Sequence, residues 1–151
     1  MAEQTESSIR IDASPARVMA VIADLEKYPQ WSDGISAVKV LAIYEEDRRP
    51  ADARFSLDSG AIKDTYELEY DWDGDRRVTW TLTKGGMLTA MDGEYDLVDN
   101  GDGTTLVHYR LAVDLKLPMI GMIKRKAEKV IVETALKGLK KRVESLPPDP
   151  A

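Results

Sequence analysis

From Ile35 to Lys116 apolar and polar residues alternate, and turn chemistry breaks the pattern at short intervals; nothing else in the chain restricts its fold as much. Alternation sends successive side chains to opposite faces of a strand. The breaks are Ser59-Gly60, Asp73-Gly74, Gly85-Gly86 and Asn100-Gly-Asp-Gly, each of which reads as a turn. The predicted strands are Ile35–Tyr44, Asp52–Asp58, Ile62–Trp72, Arg77–Thr83, Leu88–Val98 and Thr104–Lys116, with a polar loop at Glu45–Pro50. Such short connections imply a meander of antiparallel neighbours.

The alternation also predicts an inner face. Val107, Tyr109, Leu111, Val113 and Leu115 share one side of the last strand, and His108, Arg110 and Asp114 the other. Val78, Trp80 and Leu82 point inward, as do Ala53, Phe55 and Leu57. On the remaining strands the inner sets are Ile62, Tyr66, Leu68, Tyr70 and Trp72, and Thr89, Met91, Gly93, Tyr95 and Leu97. Asp64 falls among the apolar residues of its strand. The opposite face is polar enough to meet water.

Two helical stretches flank this sheet. Near the start, Ser7–Ile11 reads as a short strand, followed by a helix over Pro15–Ala23 with Ser14 as N-cap and Pro15 at its first position. Val18, Met19, Ile22 and Leu25 form its apolar stripe. Pro29 stops the helical region, leaving room for a second short helix around Leu25–Tyr28. At the other end, Pro118–Leu146 is the single long helical pattern. Ile120, Ile123, Ala127, Ile131, Thr134 and Gly138 recur on one face at helical spacing. The side chains become small along it, at Ala127, Ala135 and Gly138. Glycine inside a helix costs roughly 1 kcal/mol against alanine, so Gly138 marks either close packing on the sheet or a helix that roofs a cavity. A curved sheet with one apolar face and a helix across it encloses a hydrophobic space.

Composition removes several classes of function. The chain has no cysteine and one histidine among its 151 residues, which leaves neither disulfides nor the ligands of a zinc site. No metal or cofactor is expected. His108 lies on the wet face of its strand, away from any nucleophile, and neither glycine pair has the Lys-Ser/Thr of a phosphate loop. The net charge of −6 argues against nucleic acid. From Met119 to Leu146, however, eight Lys or Arg face three Glu. Lys124, Arg125, Lys126 and Lys129 form one basic cluster, which reads as the solvated side of an amphipathic helix or as a contact for anionic lipid headgroups or an acidic protein. With no apolar leader and no long apolar run, the chain is expected to be cytoplasmic and to span no membrane. It is expected to form one domain over residues 1–146, with Pro147-Pro-Asp-Pro opening a loose tail at 147–151.

The element order β-α-α-β6-α, the Ser14-Pro15 opening, the segment Asp24-Leu-Glu-Lys-Tyr-Pro-Gln-Trp31 and the run Val113-Asp-Leu-Lys-Leu-Pro-Met-Ile-Gly-Met-Ile-Lys-Arg-Lys-Ala127 resemble a known family. It is the polyketide cyclase/dehydrase and lipid-transport group of the START-related SRPBCC superfamily, and in particular its small actinobacterial single-domain members. The likeness runs from about Glu3 to Ser145. It implies an α+β helix-grip fold, a curved antiparallel sheet of about seven strands around the last helix, with a cavity between them and the Tyr28-Pro29-x-Trp31 turn near one end. Functions in this group range over aromatic polyketide cyclisation, lipid and quinone binding, and hormone binding. No shared catalytic constellation transfers to this chain.

Phe55, Asp64, Tyr66, Trp80, Met91, Tyr95, Tyr109 and Leu111 on the sheet, with Ile120, Ala127, Ile131 and Gly138 on the helix, are the positions expected to meet a ligand in such a cavity. Asp64 is the candidate acid or base, since burial raises a carboxyl pKa or demands a partner. It also reads as a strand-end carboxylate that reaches water or pairs with Arg54 or Lys63. The expected function is binding or transport of a hydrophobic lipid, quinone or polyketide-like molecule. Two alternatives are a cyclase or dehydratase acting on such a molecule and an interaction module that uses the basic helix.

Overall fold

A computed structural model describes residues 5–58, 63–116 and 121–147, with side chains from residue 125 onward in the last segment. Seven strands form a single antiparallel sheet: β1 (Thr5–Ile11), β2 (Ile35–Ile43), β3 (Pro50–Asp58), β4 (Lys63–Asp73), β5 (Arg77–Lys84), β6 (Leu88–Asp99) and β7 (Thr105–Leu115). Their spatial order is β1-β7-β6-β5-β4-β3-β2. The six later strands are therefore a meander, and β1 closes its far edge by pairing with β7 from Thr5↔Leu111 to Ile11↔Thr105.

Helix α1 (Pro15–Ala23) starts where the sequence places it. Ser14 is extended, its Oγ accepts from the Arg17 N–H at 3.3 Å, and Pro15 follows at a position with no hydrogen-bond partner to lose. A short 3₁₀ helix over Leu25–Gln30 contains Pro29 and ends at Trp31. The Tyr28 hydroxyl donates back to the Ile22 carbonyl at 2.5 Å, which pins this helix beneath α1.

Helix α2 (Gly121–Ser145) lies across the sheet against β1, β7 and α1. Its buried face consists of Glu128, Val132, Leu136, Leu139 and Val143, which meet a core containing Ile11, Val18, Met19, Ile22 and Val107. Full burial of each aliphatic side chain contributes about 1.5–3 kcal/mol. The expected stripe lies beside this face, where Ala127, Ile131 and Thr134 border the open space over the sheet. Ile131 is 47% exposed, and the stripe Ala127, Ile131, Thr134 turns away from the packed core. The cause is the run Val130-Ile131-Val132, three consecutive aliphatics among which periodicity alone has no preference; packing buries Val132.

A second departure comes from a bulge between Leu88 and Ala90 opposite Leu115 and Asp114. It shifts the phase of β6, so Leu88 is buried and Thr89 faces out, the reverse of the expectation for Thr89. Beyond the bulge Met91, Gly93, Tyr95 and Leu97 resume the predicted alternation.

Candidate functional site

The concave side of the sheet is paved with rings. Tyr66 stacks on Phe55 with centroids 5.4 Å apart, Tyr70 approaches Trp80 at 5.9 Å, and Tyr109 meets Tyr95 edge-on at 4.5 Å. Trp80 touches both of the last two, at 5.4 Å to Tyr95 and 5.7 Å to Tyr109. Rings so placed come from alternate positions on β3, β4, β5, β6 and β7, which the pleat sends to one face.

Above this pavement α2 does not close down on the sheet, and a cavity of about 830 Å³ remains between them. Phe55, Tyr66, Trp80, Tyr95, Tyr109 and Leu111 form its floor, with Met91 beside them. Ala127 and Ile131 supply the roof, where the small Ala127 and Ala135 leave space and Ile131 reaches the rim.

Two expected site residues stand elsewhere, and a third lies outside the described residues. Ile120 is the last of these. Gly138 does not border the cavity: a Cβ there would come 3.1 Å from the Trp31 carbonyl oxygen, so this glycine serves the close approach of α2 to the end of the 3₁₀ helix. Asp64 lies on the concave face opposite Leu57, at the end of its strand, but does not border the cavity. Its Oδ2 accepts from the N–H groups of Met87 and Leu88, both at 3.0 Å, and its Oδ1 from Thr65 N–H at 2.9 Å. The carboxylate thus clamps the start of β4 to the β5–β6 turn. Desolvation pushes its pKa upward, but the N–H groups of Leu88, Met87, Thr65 and Gly86 outweigh that and hold it below the usual aspartate value. Neither expected cation is its partner, since Arg54 pairs with Glu67 at 3.2 Å and Lys63 with Asp58 at 3.9 Å.

The cavity includes residues absent from the expected list. Tyr28, Trp31 and the Ser32–Ile35 turn border one end, and Leu68 and Tyr70 complete the floor. Leu68 and Tyr70 carry the inward alternation of β4, so the signal was present. Glu128 gave no such signal. It is 1% exposed on α2, with Oε1 accepting from Thr5 Oγ1 at 2.9 Å and Oε2 from Val113 N–H at 2.8 Å. Among the described residues β1 pairs with β7 as far as Leu111, and beyond that point the Val113 N–H donates to Glu128.

The phenols of the cavity resist ionisation. Burial first, then neighbouring phenols, raise the pKa of Tyr28, Tyr70, Tyr95 and Tyr109; burial and Asp64 do so for Tyr66. Near neutral pH these hydroxyls remain protonated and can both donate and accept hydrogen bonds. Among the described residues, no three or more His, Cys, Asp or Glu side chains converge as a metal site.

A family model described as "Polyketide cyclase / dehydrase and lipid transport" matches residues 2–144. The chain belongs to this family. Among solved structures, a START superfamily protein from Mycobacterium smegmatis is 26% identical, with a TM-score of 0.88 over 95% of this chain and 99% of that one. A protein from Thermus thermophilus is 25% identical, with a TM-score of 0.77 over 95% and 98%. The Zhui aromatase/cyclase from Streptomyces sp. R1128 shares the fold at 14% identity, with a TM-score of 0.73 over 95% and 94%. A comparison with curated proteins finds no match. The family's helix-grip architecture is thus the one seen here. Among the described residues no helix is long and apolar enough to cross a membrane.

Proposed function

We propose that this member of the family holds a hydrophobic small molecule, lipid, quinone or polyketide-like, between the sheet and α2. The observation that carries this reading is the cavity of about 830 Å³, walled mainly by aromatic and aliphatic side chains with a few hydroxyls among them. Sites for small ligands have this size and this mix. The family description, and the name of the Zhui aromatase/cyclase among the structural neighbours, support the same class of contents.

A carrier is favoured over a cyclase or dehydratase. Asp64, the candidate acid or base, stands outside the cavity with its oxygens occupied by backbone N–H groups, and the phenols stay protonated. Retention of a ligand needs only shape, rings and hydroxyls. Native mass spectrometry of the protein, before and after incubation with a lipid extract of its source cells, tests the reading. A discrete added mass, lost on Trp80→Ala substitution, is expected. A bare 16.8 kDa species beside a working lipid-binding control would sink it.

Contact with an anionic membrane surface is a second part of the proposal. Lys126 and Lys129 are exposed beside Val130 and Ile131, which are 58% and 47% exposed at the cavity rim. Arg125 belongs to the same exposed turn, and the Lys124 side chain lies outside the described residues. Co-sedimentation with phosphatidylglycerol vesicles but not with phosphatidylcholine vesicles is expected, and equal pelleting with both would refute it.

A further inference from the structure

Resting on the reading of the cavity as a ligand site, we propose that it selects an uncharged, oxygen-bearing ring system with its polar end innermost, and discriminates against ligands whose polar group is anionic. Two independent observations support this. The first concerns hydroxyls. Tyr66, Tyr70, Tyr95 and Tyr109 are 4–7% exposed and line the cavity, yet no described group hydrogen-bonds to their hydroxyls. Nor are these oxygens sealed within the core, so they open onto the cavity. Elsewhere the fold does provide partners for its aromatic polar atoms. Tyr28 donates to the Ile22 carbonyl, Tyr44 to the Tyr70 carbonyl at 2.6 Å, and the Trp72 indole to the Pro50 carbonyl at 2.7 Å.

The four remaining hydroxyls must be satisfied by what fills the cavity. Water does this in the empty state, and a ligand that displaces it must offer oxygens in return. A pure hydrocarbon strands the hydroxyls, and each one left unpaired weakens binding by about tenfold. Carbonyl or hydroxyl groups on a flat ring body meet both demands, since the surrounding rings stack on its faces.

The second observation concerns charge. Among the described residues no Lys, Arg or His lines the cavity; the charged ones that do are Asp33, Asp58 and Asp114, the latter two engaged by neighbouring groups. An anion carried to the floor would lose its water and find no counter-cation among the described residues. The lysines of α2 do not remove it. Lys126 and Lys129 are exposed and outside the lining, so an anionic head reaches them only by staying at the rim, which again leaves the hydroxyls facing hydrocarbon.

Three probes with one ring body test this: fluorene, 9-fluorenone and fluorene-9-carboxylate, which carry at the same carbon nothing, a neutral oxygen and an anion. Binding is read by titration calorimetry and by quenching of the protein's tryptophans. Fluorenone is expected to bind about tenfold or more tightly than either of the others, the equivalent of one or two well-made hydrogen bonds. Tyr95→Phe/Tyr109→Phe should narrow that preference from both sides, weakening fluorenone binding and strengthening fluorene binding, since fluorene then strands two hydroxyls fewer. The wild-type ranking decides the matter should the double variant not fold. Equal affinity for fluorene and fluorenone, or a carboxylate that binds as well as the ketone, would overturn the inference while leaving the cavity a ligand site. Failure of all three probes to bind would overturn both.

Discussion

Trp80 and Gly93 are cross-strand partners, and the indole lies directly over the glycine: a Cβ at residue 93 would come 2.1 Å from the ring. The absent side chain on β6 is what lets the tryptophan of β5 lie flat on the cavity floor. Gly93→Ala is expected to displace the indole and destabilise the protein by about 1–3 kcal/mol, as overpacking does in other cores. Urea denaturation checks this. Trp80→Leu in the Gly93→Ala background should recover part of the loss, because the three nearest atoms that the new Cβ meets all belong to that ring.

Glu128 joins three elements through two hydrogen bonds, so its variants should separate by chemistry. Glu128→Ala leaves the Val113 N–H without its acceptor and should cost about 2 kcal/mol or more. Glu128→Gln keeps a carbonyl for Val113 and an amide that donates to Thr5 Oγ1, so its cost should stay below about 1 kcal/mol. Thermal melts of the two variants provide the comparison. Equal losses would mean that the side chain acts by volume only.

Asp64 has a depressed folded-state pKa, which sets the sign of its pH dependence. Its stabilising contribution is present above the ordinary aspartate value of about 3.9 and fades as the pH falls through the lower folded value. Asp64→Asn should therefore destabilise the protein at pH 7 by about 1 kcal/mol, and the difference from wild type should vanish in strong acid. Ligand affinity and its pH dependence should not change. A ligand-binding curve that moves with this substitution would return Asp64 to the site.

The phenols give the opposite sign. Tyr28, Tyr66, Tyr70, Tyr95 and Tyr109 are raised in the folded state, chiefly by burial, so their contribution is complete below about pH 10 and is lost as the pH rises toward the folded values. In an alkaline titration followed by phenolate absorbance, these five of the six tyrosines should ionise only together with loss of circular dichroism. Ionisation of all six while the fold persists would show that solvent reaches the cavity floor freely.

Much of the fold was legible because its determinants are local. Alternation and turn chemistry place each strand of the meander to within a few residues, and Ser14-Pro15 marks the start of α1. The floor of the cavity was legible too, since Phe55, Tyr66, Trp80, Met91, Tyr95, Tyr109 and Leu111 follow from which face of each strand is apolar. The errors share one origin. Thr89 was misplaced by a bulge that no residue announces, and Asp64 and Gly138 were assigned by the face they occupy when each is defined by a neighbour distant in sequence.

By itself, then, the sequence determined the elements, their order and the apolar face of the sheet, because backbone propensity and side-chain period act over a few residues. Only the tertiary structure decided how α2 is rotated, which of Val130, Ile131 and Val132 is buried, and that Glu128 is a latch rather than part of a solvated face. A helix carrying apolar residues on several sides can present more than one face. The choice depends on the volumes and open hydrogen bonds of strands as distant in sequence as β1, and that information exists only once they are in contact.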